Sequence, residues 1–200
     1  VWVGNPVRPE IAALAVPAGR FAGRDGALHL LVIGGSLGAQ ALNEAVPQAM
    51  ALLGGSEQPQ IVHQAGEKHL DALVANYAAV GVQAHCVSFI EDMAGAYEWA
   101  DLVICRAGAL TIAELAAAGV ASILVPFPHA VDDHQTGNAK FLVHAGGAFL
   151  LPQSDMTPDA IALIRNYSRG QLLEMAEKAR SLAKPDAAAE VAHVCAELAK

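Results

Sequence analysis

A glycine-rich segment, Gly34–Ala39 (GGSLGA), stands directly after the apolar run Leu28–Ile33 and opens an alanine- and leucine-rich stretch. A glycine-rich loop between a strand and a helix predicts a phosphate site. Glycine lets the backbone approach a ligand, and the first turn of the helix offers unpaired N–H groups and a partial positive charge. The alternative is structural: Gly34 and Gly35 make a tight turn, and Ser36 caps the helix.

The same segment departs from two familiar phosphate motifs. In the dinucleotide-binding pattern G-x-G-x-x-G, counted from Gly34, Ser36 replaces the second glycine. Gln64 stands where an acidic residue should end the second strand, and the lysine of the Walker motif is missing. The loop therefore favours neither a dehydrogenase nor an ATPase.

Arg106, Thr111 and Glu114 follow a second apolar run, Leu102–Cys105. Thr111-x-x-Glu114 matches a capping box, which would give both residues a structural role. A functional alternative stays open, because a guanidinium at the end of a buried strand needs an anionic partner. The Glu114 carboxylate, one turn into the helix, can accept hydrogen bonds from sugar hydroxyls.

Two further loops carry polar side chains after predicted strands. Phe127–Asn138 contains two histidines and two aspartates, but their spacing matches no familiar ligand set, so we expect a polyhydroxylated ligand rather than a metal ion. Phe89–Met93 predicts either a plain loop in which Asp92 caps a helix or a base pocket that uses backbone groups. Four residues within or beside the strands are predicted to be packed side chains rather than catalysts: His29, His63, His85 and Cys86.

The elements that would position these groups alternate along the chain. Strands are predicted at Leu28–Ile33, Gln60–Gln64, Val82–Phe89, Leu102–Cys105, Ala121–Val125 and Ala148–Leu151. Helices are predicted at Leu37–Leu53, Lys68–Val80, Asp92–Trp99, Ala109–Ala118 and Asp133–Ala145, with a purely helical pattern from Pro158 onwards. Near-continuous apolar strands separated by helices indicate an α/β fold with a doubly wound, Rossmann-like parallel sheet and a helical tail. Ligands of such a fold bind outside the carboxyl ends of the strands, where the four loops described above lie.

Composition excludes several classes of protein. Of the 200 residues 54% are apolar, which is too many for a disordered chain. With 12 basic and 20 acidic residues, a formal charge of −8, the chain is a poor candidate for nucleic-acid binding. Three cysteines without a Cys-x-x-Cys pair predict neither a disulfide framework nor a metal site and favour a reducing, cytosolic compartment. Neither a signal peptide nor a membrane span is predicted, because the longest apolar region, Leu102–Val131, contains charges, glycines and prolines.

The two ends of the chain suggest how it is divided. The first residue is Val rather than Met, so we expect a piece of a longer protein. Pro185 separates a last helix, Asp186–Leu198, whose apolar residues recur at helical spacing and need a surface to cover, in this domain or in a missing one. We therefore predict a Rossmann-like ligand-binding domain over residues 1–184 and a C-terminal helix over residues 185–200.

Several segments, taken in order, resemble one family. They are Gly4–Arg8 (GNPVR), Gly34–Ala39, His63–Gly66 (HQAG), Phe89–Leu115 and Pro126–Ala139. Together they are similar to the bacterial lipid II-forming N-acetylglucosaminyltransferases, and the resemblance runs along essentially the whole chain. It implies the C-terminal, donor-binding half of a GT-B glycosyltransferase. The N-terminal half, which in that family carries the lipid acceptor site, the membrane-facing patch and the base, would be absent from this chain.

The resemblance also implies a set of residues that bind UDP-N-acetylglucosamine. Arg8 and Ser36 would contact the diphosphate, and Ile90 would hold uracil through its backbone. Glu114 would bind the ribose, and Gln135 would bind the hydroxyls of N-acetylglucosamine. The nucleotide sugar would be lined by Ala109, Leu110, Thr111, Ile112, Ala113 and Glu114, with Gly34, Gly35, Arg106 and Asn138 as neighbours.

The reaction implied by the resemblance is a single displacement with inversion at the anomeric carbon. The C4 hydroxyl of N-acetylmuramic acid in undecaprenyl-pyrophosphoryl-MurNAc-pentapeptide (lipid I) attacks, and UDP leaves. Helix N-termini and Arg8 would stabilise the leaving UDP, so we expect no cofactor, no metal ion and no catalytic residue in this chain, and an inactive isolated fragment. The implied setting is peptidoglycan synthesis at the cytoplasmic face of the inner membrane, with the protein bound peripherally. Two alternatives are a UDP-N-acetylglucosamine 2-epimerase-like domain and a non-catalytic nucleotide-sugar-binding module.

Overall fold

A computed structural model describes residues 3–35 and 39–199. Within them, six strands form one sheet: β1 (His29–Ile33), β2 (Gln60–Gln64), β3 (His85–Val87), β4 (Leu102–Cys105), β5 (Ala121–Leu124) and β6 (Ala148–Leu150). The α-helices are α1 (Pro9–Ala12), α2 (Pro17–Phe21), α3 (Gln40–Ala51), α4 (Leu70–Ala79), α5 (Met93–Trp99), α6 (Ala109–Ala118), α7 (His134–Val143), α8 (Pro158–Ala162), α9 (Arg169–Arg180) and α10 (Ala187–Leu198). The strand order is β3-β2-β1-β4-β5-β6 and every neighbouring pair is parallel, which confirms the predicted doubly wound sheet.

Both faces of the sheet are covered by helices. Leu30 of β1 packs with Leu42 of α3 in one core, whereas the next residue, Leu31, packs with Leu115 of α6 in the other. All four side chains are almost fully buried. Because successive strand residues point to opposite faces and both faces are dry, the strands are continuously apolar rather than alternating.

Some boundaries differ from the prediction. β3 is limited to His85–Val87, instead of the predicted Val82–Phe89, because this edge strand pairs only with the last three residues of β2. α3 begins at Gln40 rather than at Leu37. The sequence patterns did not predict α1 and α2, which are each about one turn long and carry proline at the first helical position.

A buried carboxylate joins the amino ends of the strands to the helical tail. Asp101, which immediately precedes β4, has no exposed surface and accepts a hydrogen bond from the His29 backbone N–H at 3.0 Å. Its Oδ1 pairs with Arg24 Nη1 at 2.6 Å and its Oδ2 with Arg169 Nη2 at 2.9 Å. Burial raises the pKa of Asp101, but the hydrogen bonds from Arg169, the His29 N–H and Arg24 together outweigh burial and hold the pKa below its ordinary value. The first residue of α9 is thereby fixed to the amino edge of the sheet.

A second buried cation holds the carboxyl end of α6. Arg20 of α2 is 7% exposed and donates to the carbonyl oxygens of Ala118, Gly119 and Tyr97. Burial lowers the pKa of Arg20 to about 10, so the guanidinium stays charged at neutral pH and interacts favourably with the negative end of the helix dipole. α6 is thus anchored at one end, while its first turn lies at the carboxyl edge of the sheet.

The last helix is largely uncovered within the described residues. Ala187 at its start is buried, Val191 and Val194 are half-buried, and Leu198 is 84% exposed. The apolar stripe predicted on this helix is therefore present but covered only in part.

Candidate functional site

The carboxyl ends of β1, β4, β5 and β6 border one open cleft of about 660 Å³. It brings together four of the predicted site residues: Gly34, Gly35, Arg106 and Gln135. The rest of its wall is formed by Ala39, Gln40, Ala41, Glu44, Phe127, His129 and Gln153. The cleft lies where ligands of a doubly wound sheet bind.

The glycine turn after β1 is held from the neighbouring strand. Gly35 adopts a φ of +81°, the left-handed conformation that favours glycine. Gln64, the last residue of β2, is 3% exposed, and its Nε2 donates to the Gly35 carbonyl oxygen at 3.2 Å. Gln64, which stands where the dinucleotide-binding pattern has an acidic residue, therefore supports the glycine turn. Ser36, which was predicted to contact the diphosphate, lies outside the described residues.

Arg106 brings a positive charge to the wall of the cleft. Its Nη1 donates to the carbonyl oxygens of Val125 and Pro126 at 3.2 Å, and its Nη2 donates to Gln153 Oε1 at 2.7 Å. The guanidinium also lies over the Phe127 ring, 5.5 Å from its centroid. Burial lowers the pKa of Arg106. None of the ion pairs among the described residues involves Arg106, so its acceptors there are neutral oxygens.

The predicted capping box at Thr111 and Glu114 is wrong. A capping box needs its Ser or Thr at the N-cap position, outside the helix. Here α6 begins at Ala109 with Gly108 as the N-cap residue, so Thr111 is the third helical residue and Glu114 lies in the second turn. A true capping box occurs at the start of α9 instead, where the side chains of Ser168 and Gln171 satisfy each other's backbone N–H groups.

Glu114 links α6 to α5 and to the segment before α1. Its Oε1 accepts hydrogen bonds from Arg8 Nε at 3.1 Å and Arg8 Nη2 at 2.9 Å, and its Oε2 accepts one from the Tyr97 hydroxyl at 3.2 Å. The side chain of Glu114 is 17% exposed and that of Arg8 is 43% exposed. Burial, followed by the charge of Glu114, raises the pKa of Tyr97, so the hydroxyl keeps the proton that it donates. Two residues predicted to bind different parts of one ligand, Arg8 and Glu114, are thus ion-paired with each other.

Two amide side chains fix α7 beside the cleft. Gln135 Oε1 accepts a hydrogen bond from the Phe127 backbone N–H at 2.9 Å. Asn138 Nδ2 donates to the Ala107 carbonyl oxygen at 3.1 Å. These bonds hold the helix against the loops that follow β5 and β4, so both predicted residues have a structural role in addition to any role in binding.

Other predicted residues line a second concave region. Ala109, Ile112, Ala113 and Asn138 border a cavity of about 220 Å³, together with Gly4, Asn5, Val7, Leu182 and Lys184. Leu110 is 62% exposed on the first turn of α6. Both regions reach α7, the cleft through Gln135 and the cavity through Asn138.

The loop after β3 shows the structural role that the sequence left open for it. Asp92 Oδ1 accepts a hydrogen bond from the Gly95 backbone N–H at 2.8 Å, which confirms the predicted cap of α5. Ile90 is half-buried against the core beneath it, whereas Phe89 is 55% exposed. Asp92 therefore has a structural role, and the backbone at Ile90 is the part of this loop still proposed for binding.

The loop before α7 carries the two aspartates that had raised a metal site as an alternative. Asp132 and Asp133 both have a φ of +51°, which is uncommon outside glycine. Asp133 Oδ1 accepts a hydrogen bond from Thr136 Oγ1 at 2.6 Å. Across residues 3–35 and 39–199, no group of three or more His, Cys, Asp and Glu side chains is arranged as a metal site.

In the same residues, no helix combines the length and the apolar character needed to cross a membrane.

A buried polar network lies behind the glycine turn. His63 of β2 has no exposed surface; its Nε2 donates to Asn43 Oδ1 at 3.1 Å, and its Nδ1 accepts from the Tyr77 hydroxyl at 2.9 Å. Because the amide oxygen of Asn43 can only accept, this arrangement requires the neutral Nε2–H tautomer. Asn43 Nδ2 donates in turn to the Ala65 carbonyl oxygen at 3.1 Å. Burial lowers the pKa of His63 to about 3, so the ring is a packed, neutral side chain, as predicted.

We expect His63 to make the free energy of unfolding fall as the pH decreases from 6.5 towards about 3. In this window the unfolded chain binds a proton at residue 63 and the folded chain does not, so stability is lost at about 1.4 kcal/mol per pH unit. Urea denaturation at pH 7 and pH 5 measures the loss, which should be about 2 kcal/mol for this residue. His63→Gln should lack this part of the pH dependence, whereas His144→Gln, at an exposed histidine, should keep it. A His63→Gln variant with wild-type pH dependence would contradict the neutral buried ring.

Three side chains of the site were not identified from the sequence as contacting it. Gln64 was noted only for the acidic residue that it replaces, although it belongs to the HQAG segment. Tyr97 and Gln153 carried no signal, because their partners Glu114 and Arg106 are distant in sequence and no local pattern connects them.

Comparison with known proteins places residues 29–193 within the family described as the glycosyltransferase family 28 C-terminal domain. A curated relative from Dechloromonas aromatica (strain RCB), named UDP-N-acetylglucosamine--N-acetylmuramyl-(pentapeptide) pyrophosphoryl-undecaprenol N-acetylglucosamine transferase, is 87% identical over 199 residues. A relative of the same name from Azoarcus sp. (strain BH72) is 62% identical over 200 residues. Each match covers 100% of this chain and 56% of the relative, so the chain spans about half the length of these proteins.

Among solved structures, MurG from Acinetobacter baumannii has a TM-score of 0.85 and 45% sequence identity with this chain. The match covers 92% of this chain and 54% of that chain. It confirms the predicted Rossmann-like architecture, and it again corresponds to about half of a longer protein.

Proposed function

This chain belongs to the glycosyltransferase family 28 C-terminal domain family, and we propose that it binds the donor UDP-N-acetylglucosamine in the reaction that forms lipid II. In that reaction, N-acetylglucosamine passes to the C4 hydroxyl of N-acetylmuramic acid in lipid I during peptidoglycan synthesis. The 87% identity to a relative whose name states this transfer supports the proposal. The structural observation that carries it is the convergence of a glycine turn, the Arg106 guanidinium and Gln135 on one cleft at the carboxyl edge of the sheet.

The diphosphate is the part of the donor that the cleft suits best. The glycine turn at Gly34 and Gly35 exposes backbone to the cleft, and the first turn of α3, which contributes Gln40 and Ala41 to the wall, offers backbone N–H groups and a partial positive charge. Arg106 adds a full positive charge to the same wall, where its acceptors are neutral. As the bond to the anomeric carbon breaks, these fixed charges stabilise the negative charge that develops on UDP.

The nucleoside and the sugar are assigned to the flanks of this phosphate site. Glu114 accepts hydrogen bonds from the ribose hydroxyls, and the backbone of Ile90 recognises uracil. The sugar lies against α7 at Gln135. Arg8 is ion-paired with Glu114, and we assign it to the phosphate that adjoins the ribose.

The acceptor oxygen attacks the anomeric carbon directly, so this chain needs no nucleophile. We assign the acceptor site and the base to the part of the relatives that this chain does not span. Residues 1–184 are then the UDP-sugar-binding domain, and residues 185–200 carry a helix that packs on that other part through its uncovered apolar stripe. We assign the whole enzyme to the cytoplasmic face of the inner membrane, as a peripheral protein, because its proposed acceptor is a membrane lipid.

UDP should bind this chain at least about tenfold more tightly than ADP. A pocket that pairs its polar groups with uracil leaves some of them unpaired when a purine enters, which costs more than one hydrogen bond. Titration calorimetry at millimolar nucleotide measures both affinities, with UDP-N-acetylglucosamine as the third ligand. Equal affinities for UDP and ADP would exclude a uracil site at Ile90, and failure of all three to bind would exclude the donor role.

A second experiment addresses the reaction. The full-length protein that contains this chain is incubated with UDP-N-acetylglucosamine and a lipid I analogue. Transfer of the sugar is expected. Epimerised sugar nucleotide would indicate an epimerase-like domain, and donor binding without either product would indicate a binding module.

A further inference from the structure

The segment His63–Ala65, at the carboxyl end of β2, is hydrogen-bonded to the glycine turn and to α3. Gln64 Nε2 donates to the Gly35 carbonyl oxygen at 3.2 Å, and His63 Nε2 donates to Asn43 Oδ1 at 3.1 Å. In the opposite direction, Asn43 Nδ2 donates to the Ala65 carbonyl oxygen at 3.1 Å. The segment thus contacts the chain on both sides of residues 36–38.

The register of the sheet explains why Gln64 reaches the turn. Gln64 is paired with Ile33, the last residue of β1, so its side chain lies level with the point where the glycine turn leaves the sheet. Its amide is almost fully buried, and water therefore competes little for the hydrogen bond. The carbonyl of Gly35, two residues beyond Ile33, accepts this hydrogen bond.

The turn is open on the side where a side chain would project: among the described residues, a Cβ atom built on Gly35 would meet no atom within 4 Å. Glycine also has more backbone freedom to lose than any other residue. The directed hydrogen bond from Gln64 limits the orientation of the Gly35 peptide group in this open turn. Binding sites require such limits, because donors misplaced by about 1 Å lose most of their hydrogen-bond energy.

We propose that Gln64 is a positioning residue for the donor diphosphate, which it acts on through the Gly35 peptide group without touching the ligand itself. His63 and Asn43 support the same region from behind by holding α3 against β2. This inference rests on the proposed function, because it requires a diphosphate to bind at the glycine turn. It predicts that Gln64 matters for ligands with phosphate groups and not for the nucleoside alone.

The test compares Gln64→Met with Gln60→Met. Methionine keeps the length of the side chain but cannot donate a hydrogen bond. Gln60 is a matched control, because it lies on the same strand at the opposite, exposed end. Titrations of UDP and of uridine, followed by nuclear magnetic resonance, should show that Gln64→Met weakens UDP binding by about five- to tenfold, the cost of about one hydrogen bond. Uridine binding should change less than about twofold, and Gln60→Met should leave both unchanged.

A second variant gives a readout that a merely structural role would not move. In Gln64→Glu the ionised carboxylate repels the Gly35 carbonyl oxygen, whereas the protonated form can donate to it as glutamine does. Burial at this position raises the pKa of the introduced carboxyl group towards neutrality, so the UDP affinity of Gln64→Glu, relative to wild type at the same pH, should recover as the pH is lowered from 8 to 5.5. Thermal unfolding of each variant checks that the fold is retained.

The possible outcomes distinguish the proposed donor-binding function from the positioning role of Gln64. If wild type does not bind UDP, the proposed function fails and the positioning role fails with it. If wild type binds UDP but Gln64→Met binds it equally well, only the positioning role is wrong. Equal losses for UDP and uridine, or no recovery of Gln64→Glu at low pH, would likewise overturn it.

Discussion

Asp101→Asn should lower the free energy of unfolding by about 3–5 kcal/mol, because removing one partner of a buried ion pair leaves the other charge uncompensated. Asparagine keeps the size of the side chain but not its charge. Arg24 and Arg169 would lose their shared carboxylate while their side chains are each only 17% exposed. Both also donate to backbone carbonyl oxygens, Arg24 to those of residues 98, 99 and 100 and Arg169 to those of residues 24, 26 and 27, so neither can move into water without breaking further bonds.

Urea denaturation at pH 7 measures this loss. The matched control is Asp25→Asn, at an exposed aspartate next to Arg24, which should change stability by less than about 0.5 kcal/mol. Because the pKa of Asp101 is lower in the folded chain than in the unfolded chain, its contribution is complete at neutral pH and is lost as the pH falls through the folded pKa. Asp101→Asn should therefore be less sensitive to acid than wild type. Wild-type stability of Asp101→Asn would mean that the two arginines are rehydrated at little cost.

The bounds of five strands, including the edge strand β6, could be predicted from the sequence to within one residue, whereas those of the other edge strand, β3, could not. The predicted bounds Gln60–Gln64 and Leu102–Cys105 coincide with β2 and β4. β4 is a short apolar run buried on both faces, so its ends are clear in the sequence. At the edge, the run Val82–Phe89 looks equally strand-like. Its paired length is set by its single neighbour β2, and a local pattern does not contain that information.

For the candidate site, too, the positions of the loops could be predicted from the sequence, but the contacts between their side chains could not. Loops after strands were located correctly, because the topology of a doubly wound sheet brings them to one edge. The contacts within the site join residues far apart in the chain: Arg8 and Glu114 are separated by 106 positions. The misassigned capping box at Thr111 has the same origin. A local pattern matched, but the N-cap residue is Gly108, and the helix begins at Ala109.

Glu114→Gln should weaken UDP binding by roughly 1.5–3 kcal/mol, which is at least about tenfold. A carboxylate has acceptor sites beyond those used by Arg8 and Tyr97, and ribose hydroxyls that donate to them form charge-assisted hydrogen bonds. The alternative is that Glu114 only ties the segment before α1 to α5 and α6. In that case Glu114→Gln should leave UDP affinity unchanged and cost about 0.5–1 kcal/mol of stability, because the Arg8 side chain is 43% exposed and the ion pair is partly screened.

A donor without the 2′-hydroxyl distinguishes these alternatives. Wild type should bind 2′-deoxy-UDP more weakly than UDP, whereas Glu114→Gln should bind the two almost equally. Tyr97→Phe is the informative comparison: it removes the hydrogen bond to Glu114 Oε2 but keeps the charge, so it should lose stability and still discriminate against the deoxy ligand. Glu10→Gln, at an exposed carboxylate on α1, should behave as wild type. If Glu114→Gln kept full UDP affinity and full discrimination while its melting temperature fell, the carboxylate would join elements without binding the ribose, and the sugar hydroxyls would need another acceptor.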